Sequence, residues 1–199
     1  TSDNIVRSGT PSFTVTGAVD TDTYTTPGTA AVASVQLQQV SGAAQSSGFA
    51  NTGSAVTSAT GGVYTLTPTS LSDGTYTIRA LVTDLAGNQS TTAGITVYVD
   101  TTAPTAGTLT MTTTDNGSSS SDGIIGTLTP SFSLASPSDT GYTGAGIASV
   151  VVQVSTDDGT TWTTKGTSAS TSSPYAIALS GLTSQTTYKI QALVTDTAG

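Results

Sequence analysis

The sequence predicts an all-β chain folded as two tandem antiparallel β-sandwiches, and three observations predict it. The acids number 12 and every one is Asp, with no Glu anywhere; Glu suits helices, whereas Asp suits turns and caps. Apolar residues alternate with polar ones at a period of two, in short runs bounded by Gly, Pro, Asn, Asp and Ser. The third is an internal repeat, the feature that sets the architecture before any single element is weighed.

The repeat is read from four matches. Ser2-Asp3-Asn4-Ile5-Val6 corresponds to Ser121-Asp122-Gly123-Ile124-Ile125, and Thr10-Pro11-Ser12-Phe13 to Thr129-Pro130-Ser131-Phe132, both at an offset of 119. Ala33-Ser34-Val35 corresponds to Ala148-Ser149-Val150 at 115, and the run from Tyr76 to Asp84 to that from Tyr188 to Asp196 at 112. The offset shrinks in steps, which places the length changes in loops between folded elements. Two domains follow, residues 1–100 and 101–199.

In the first copy strands are expected near residues 11–19, 32–40, 47–51, 62–67, 75–83 and 91–99. In the second they are expected near 106–114, 129–136, 147–155, 161–166, 174–179 and 187–195. Between residues 34 and 40, Val35 and Leu37 share one face while Gln36 and Gln38 share the other, the pattern of a sheet with one buried and one wet face. Six or seven such strands per ~100 residues suggest an immunoglobulin-like or fibronectin III-like sandwich. The strand at 106–114 has no counterpart in the first copy, and the strand at 91–99 has none in the second. Copy one is therefore expected to lack its first strand and copy two its last, leaving open sheet edges that a neighbouring repeat or a homotypic assembly could complete. The chain reads as a segment of something longer.

Composition excludes several function classes. Four basic residues (Arg7, Arg79, Lys165 and Lys189) and a net charge of −8 leave no basic patch to neutralise phosphates, so no nucleic-acid partner is expected. No apolar run approaches the ~18 residues of a membrane span. With no His and no Cys, Ser-His and Cys-His nucleophile systems and the usual zinc sites are closed. No Asp pair stands in a context that marks a glycosidase, and no Gly-rich phosphate loop precedes a helix. An enzyme is not expected.

The segments LSDGTYTIRALVTDLAGN and VDTTAP of the first copy, with GIASVVVQVSTDDGTTW and TYKIQALVTDTAG of the second, resemble bacterial Ig-like repeats. The resemblance spans essentially the whole chain. It implies the extender region of a large secreted or cell-surface adhesin, with neighbouring Ig-like repeats of the same chain as partners. The first copy departs from the pattern between Gln39 and Gly62, where its hairpin is longer and richer in Ala and Ser.

Calcium is the expected ion. It takes six to eight oxygen ligands from carboxylates, amides, backbone carbonyls and water. On the loop map of an Ig-like sandwich, Asp3, Asp73 and Asp100 gather at the base of copy one. Asp139 and Asp196 gather at the top of copy two, beneath the hinge at residues 101–104. Equivalent half-sites are Asp84 and Asn88 with Asp20 or Asp22, and Asp115 and Asn116 with Asp122. The resemblance implies calcium at domain junctions, carried by the Asp residues of TDLAGN, VDTTAP and SDNI or SDGI. The competing account is that each Asp caps its own turn.

Ser155-Thr156-Asp157-Asp158-Gly159-Thr160-Thr161-Trp162 resembles the Asp-box of sialidase-type propellers and reads here as a hairpin, with Asp157 or Asp158 capping. Trp162 is the one aromatic that could stack on a sugar. The expected function is that of a structural stalk segment outside the bacterial cell, rigidified by calcium at the domain junction. The alternatives are a segment of a self-assembling surface fibre, sheath or layer, or a carbohydrate-binding module of a secreted enzyme.

Overall fold

A computed structural model describes residues 3–20, 31–115, 119–142 and 144–199. The chain forms two compact units, the first built on strands β1 to β8 and the second on β9 to β14. Among the described residues there is no helix.

In the first unit the strands are β1 (Ile5–Val6), β2 (Phe13–Thr16), β3 (Val32–Ser41), β4 (Ala50–Val56), β5 (Val63–Leu66), β6 (Gly74–Asp84), β7 (Gln89–Thr91) and β8 (Ile95–Val99). One sheet runs β1-β8-β6-β3-β4, with β7 also on β6, and a second pairs β2 with β5. The two faces meet in one core. Val35, Leu37, Ile78, Ala80, Val97 and Val99 come from the large sheet, Tyr64 and Leu66 from β5, and Leu71 from the loop before β6. Alternation supplies these side chains: on β6 and β8 every second residue points inward.

The second unit contains β9 (Thr108–Met111), β10 (Ser131–Ala135), β11 (Ile147–Ser155), β12 (Thr163–Thr167), β13 (Tyr175–Ala178) and β14 (Lys189–Asp196). Its sheets run β13-β10-β9 and β12-β11-β14. Phe132, Leu134, Tyr175, Ile177 and Leu179 face Val150, Val152 and Val154 across the core. The two units share a local irregularity as well as a plan. The β3–β6 register shifts between Val32 and Ser34, and the β11–β14 register between Ile147 and Ser149, so Ala33 and Ala148 each sit in a bulge at matching points of the repeat.

Three elements differ from expectation. The strand expected at 47–51 lies at Ala50–Val56, because the preceding loop is held by distant partners: Gln45 N donates to Thr77 Oγ1 (3.0 Å), and Thr77 Oγ1 to Gly42 O (2.8 Å). The strand expected at 91–99 is broken into β7 and β8. The break falls at Gly94, where a Cβ would come within 2.8 Å of Thr77 Cγ2. The two-residue β1 was not expected. It pairs in parallel with β8, Ile5 opposite Tyr98 and Val6 opposite Val99. Tyr98 N donates to Asn4 O (2.9 Å) and Asp100 N to Val6 O (3.0 Å).

Candidate metal centre

Two of the nine proposed ligands form the same local turn. Asp3 Oδ1 accepts from Ile5 N (3.2 Å) and Asp122 Oδ1 from Ile124 N (3.0 Å), matching positions of the repeat in which a short side chain caps its own backbone. Asp73 Oδ1 accepts from both the amide (2.8 Å) and the hydroxyl (2.7 Å) of Thr101, fixing the turn before β6 to the residue after Asp100. Asp100 itself follows β8 and is buried, 2 % exposed. Within this unit the structure does not draw Asp3, Asp73 and Asp100 into one group of mutually close carboxylates.

At the far end of β6, Asp84 is occupied by its own turn. Its Oδ1 accepts from Asn88 N and its Oδ2 from Asn88 Nδ2, both at 2.8 Å. The Asn88 side chain first, then the turn amides, hold the Asp84 carboxyl below its ordinary value, since hydrogen bonds to the charged form favour it. Asp20, Asp84 and Asn88 line one cavity of about 300 Å³, together with Gln89 and Ser90. Gln89 and Ser90, which directly follow Asn88, were not among the expected ligands. Asp22 and Asn116 lie outside the described residues.

In the second unit Asp115 Oδ2 accepts from Gly123 N (2.9 Å), which ties Asp115 to the turn that begins at Asp122. Its Oδ1 is out of solvent and accepts no hydrogen bond among the described residues. Asp139 and Asp196 are brought together, with carboxylate oxygens within 4.8 Å of each other. Asp139 Oδ1 accepts from Thr140 N (2.8 Å), while its Oδ2 is out of solvent and accepts no hydrogen bond among the described residues. Asp196 is 8 % exposed, and its Oδ1 accepts from Gly199 N (2.7 Å). Like charges this close and this dry repel unless a cation or proton intervenes. An ion pair lies elsewhere in this unit, Lys189 Nζ to Asp158 Oδ1 at 2.7 Å.

The Asp-box segment is a hairpin capped by Asp157. Its Oδ1 accepts from Thr161 N (2.8 Å) and Ser155 Oγ (2.7 Å), and its Oδ2 from Thr161 Oγ1 (2.6 Å). The Thr161 hydroxyl first, then the Thr161 amide and Ser155, lower the Asp157 carboxyl to about 2. Asp158 takes a left-handed backbone, φ 64°, which a short polar residue tolerates. Trp162 is partly covered in this hairpin.

The description "bacterial Ig-like domain" matches residues 1–101. Among solved structures, fibronectin(III)-like modules of Clostridium thermocellum CbhA align with 98 % of this chain and 82 % of their own, at 18 % identity and a TM-score of 0.47. A tetra-tandem repeat in the extending region of a large adhesion protein aligns with 96 % of this chain and 50 % of its own, at 17 % identity and a TM-score of 0.27. No curated protein matches. With the family description spanning the first 101 of 199 residues, and a sandwich core in each unit, the chain belongs to the bacterial Ig-like domain family.

Proposed function

We propose that this chain is a non-catalytic stalk segment of a secreted or cell-surface adhesin-like bacterial protein, in which tandem repeats hold a distant module away from its anchor. The observation that carries this reading is the repeat itself: one Ig-like plan built twice in one chain, without a constellation of catalytic residues in the sequence. Among the described residues no helix is long and apolar enough to cross a membrane. A stalk gains reach linearly from rigid units, but only as the square root of length from flexible linkers, so stiffness at the hinge is what such a protein needs.

Calcium is the stiffening agent in this proposal. The donors present fit it. The close pair Asp139 and Asp196 is all oxygen, and among the described residues Asp139 Oδ2 has no hydrogen bond to lose. Asp100, the residue through which the first unit enters the hinge, is proposed as the third carboxylate on grounds of sequence adjacency. Bound calcium supplies a divalent charge that neutralises these acids, and an ion that binds only the ordered arrangement stabilises it by about 2.7 kcal/mol at a hundred times its dissociation constant. The test is a pair of thermal melts, in excess calcium and in excess EGTA, with small-angle scattering under both conditions. A higher Tm and a larger maximum dimension in calcium, both lost in Asp139→Asn and Asp196→Asn, support the reading. Superimposable melts and scattering curves refute the calcium part.

A further inference from the structure

The sheet faces turned away from the two cores can be compared position by position. On β3 and β6, Gln38 stands opposite Arg79, and at the matching place on β11 and β14, Gln153 stands opposite Gln191. Both pairs point outward, since their neighbours Leu37, Ala80, Val152 and Val154 take the inward side. Both make the same bond. Arg79 Nε donates to Gln38 Oε1 at 2.9 Å, and Gln191 Nε2 to Gln153 Oε1 at 3.0 Å. A plain amide therefore supplies what the fold asks of this position, and the guanidinium of Arg79 brings something more.

What it brings is a fork held in place. Phe49 stands one residue before β4, and the Arg79 guanidinium lies over its ring, Cζ 3.9 Å from the centroid, a distance at which the ring attracts the cation. With Nε tied to Gln38 and one flat side against the ring, the group has given up most of the freedom that a surface Arg keeps. Its two terminal nitrogens donate to nothing among the described residues, and none of the carboxylates among them pairs with it. In a chain of net charge −8, composition alone would more readily give this cation an acid. Beside it, Gln38 Nε2 donates to Asn51 Oδ1 (3.0 Å). Asn51 is exposed, and its Nδ2 is a further donor with no acceptor among the described residues.

We propose that Arg79, Phe49 and Asn51 form a binding site on the first unit for an acidic polysaccharide, a polymer of carboxylate-bearing hexuronate units. The terminal nitrogens of Arg79 donate two parallel bonds to one carboxylate, the geometry that a planar fork matches best. Asn51 Nδ2 donates to a hydroxyl of the same or the next sugar, and the uncovered part of the Phe49 ring meets sugar C–H groups. A glycan is the occupant because the site is a flat sheet face. The main chain of β3 is spent on β4 and β6, so a peptide finds neither a strand edge nor a groove here. A uronate brings the carboxylate and hydroxyls that these donors take. The second unit has an aromatic at the matching place, Trp162, one residue before β12, but with Gln191 in place of the guanidinium it has no fork to offer. This site uses none of the candidate calcium ligands, and it stands or falls apart from the stalk reading.

The test titrates galacturonate oligomers into the full chain, followed by amide and Arg Nε chemical shifts. EGTA is present so that no calcium bridges acid to acid, and salt at about 0.15 M screens the chain's own negative charge beyond ~8 Å. Saturable shifts are expected at Phe49, Asn51 and Arg79 Nε. The methyl-esterified oligomer, which keeps the shape and loses the charge, should bind about tenfold more weakly or worse. Arg79→Gln copies the second unit and should weaken binding by a similar factor. Arg79→Lys keeps the charge without the fork and should also bind several-fold more weakly. Should Arg79→Gln disturb the fold, the ester comparison, made on the unaltered chain, decides by itself. No saturable binding, equal binding of the ester, undiminished binding by a folded Arg79→Gln chain, or shifts confined to the second unit overturns the proposal. Equal binding of a glutamate oligopeptide of the same length would make charge alone the determinant and overturn the assignment to a glycan.

Discussion

Ile78 and Ile190 are the same residue at the same place in the repeat, and they differ in what covers them. Ile78 is 1 % exposed under β8, while Ile190 is only partly buried. Truncating a fully buried Ile to Ala removes its transfer energy and leaves a cavity that packed neighbours fill poorly, together about 4 kcal/mol within a usual range of roughly 2 to 5. Ile190 has already forfeited part of that burial, so Ile190→Ala should cost about half as much, roughly 2 kcal/mol. In a unit of this size each kcal/mol moves Tm by about 4–8 °C, which gives losses of roughly 20 °C and 10 °C for the two transitions. Scanning calorimetry of the whole chain measures both, with hydrogen exchange at Val35 and Val150 assigning each transition to its unit. If Ile78→Ala does not fold, the milder pair Ile78→Val and Ile190→Val carries the same comparison at about 1 kcal/mol or less. Equal losses at the two positions would refute the reasoning, since β8 would then contribute nothing to sealing the core beneath it.

Other outcomes follow from single sites. Gly53→Ala should destabilise the first unit by several kcal/mol, as judged by chemical denaturation, because the new Cβ would run into the Thr67 carbonyl from a backbone already at φ +67°. Ser155→Ala should cost the second unit about 1 kcal/mol in the same assay, since the buried hydroxyl accepts from Gly159 N (2.8 Å) and donates to Asp157. Asp157 has its folded value lowered from 3.8 to about 2. The stability it contributes is therefore complete above pH about 4 and lost as pH falls through about 2. Carboxyl NMR titration should place its midpoint near the lower figure, and a midpoint at the ordinary value would remove the hairpin's claim on it.

Strands with strong alternation were legible to within a residue or two. The β3 strand, expected at 32–40, runs Val32–Ser41, and β11 runs Ile147–Ser155 as expected. Where position depends on remote contacts, sequence reading slipped. The start of β4 is set by Gln38 and Gln39 standing opposite Asn51 and Ala50, after a loop anchored on Thr77 and Thr96. Two-residue β1 carries no periodicity of its own and exists because β8 offers it an edge. The site shows the same division. The Asp84–Asn88 turn is a local motif and could be read directly, whereas the cavity beside it depends on Asp20, Val32 and Val82 arriving from three separate segments. Asp139 and Asp196 stand 57 positions apart (196 − 139), and only the Ig-like loop map places them at one end.

The parallel pairing of β1 with β8 also decides how the first unit bears tension. A pull applied through the chain on either side of this unit reaches Ile5-Val6 from one direction and Ile95–Val99 from the other. Because the two strands run parallel, that load slides one along the other instead of peeling them apart. The bonds from Tyr98 N to Asn4 O and from Asp100 N to Val6 O are then strained together and must break together. A two-residue strand that adds little to equilibrium stability thus works as a mechanical clamp, raising the force needed to start unravelling the domain.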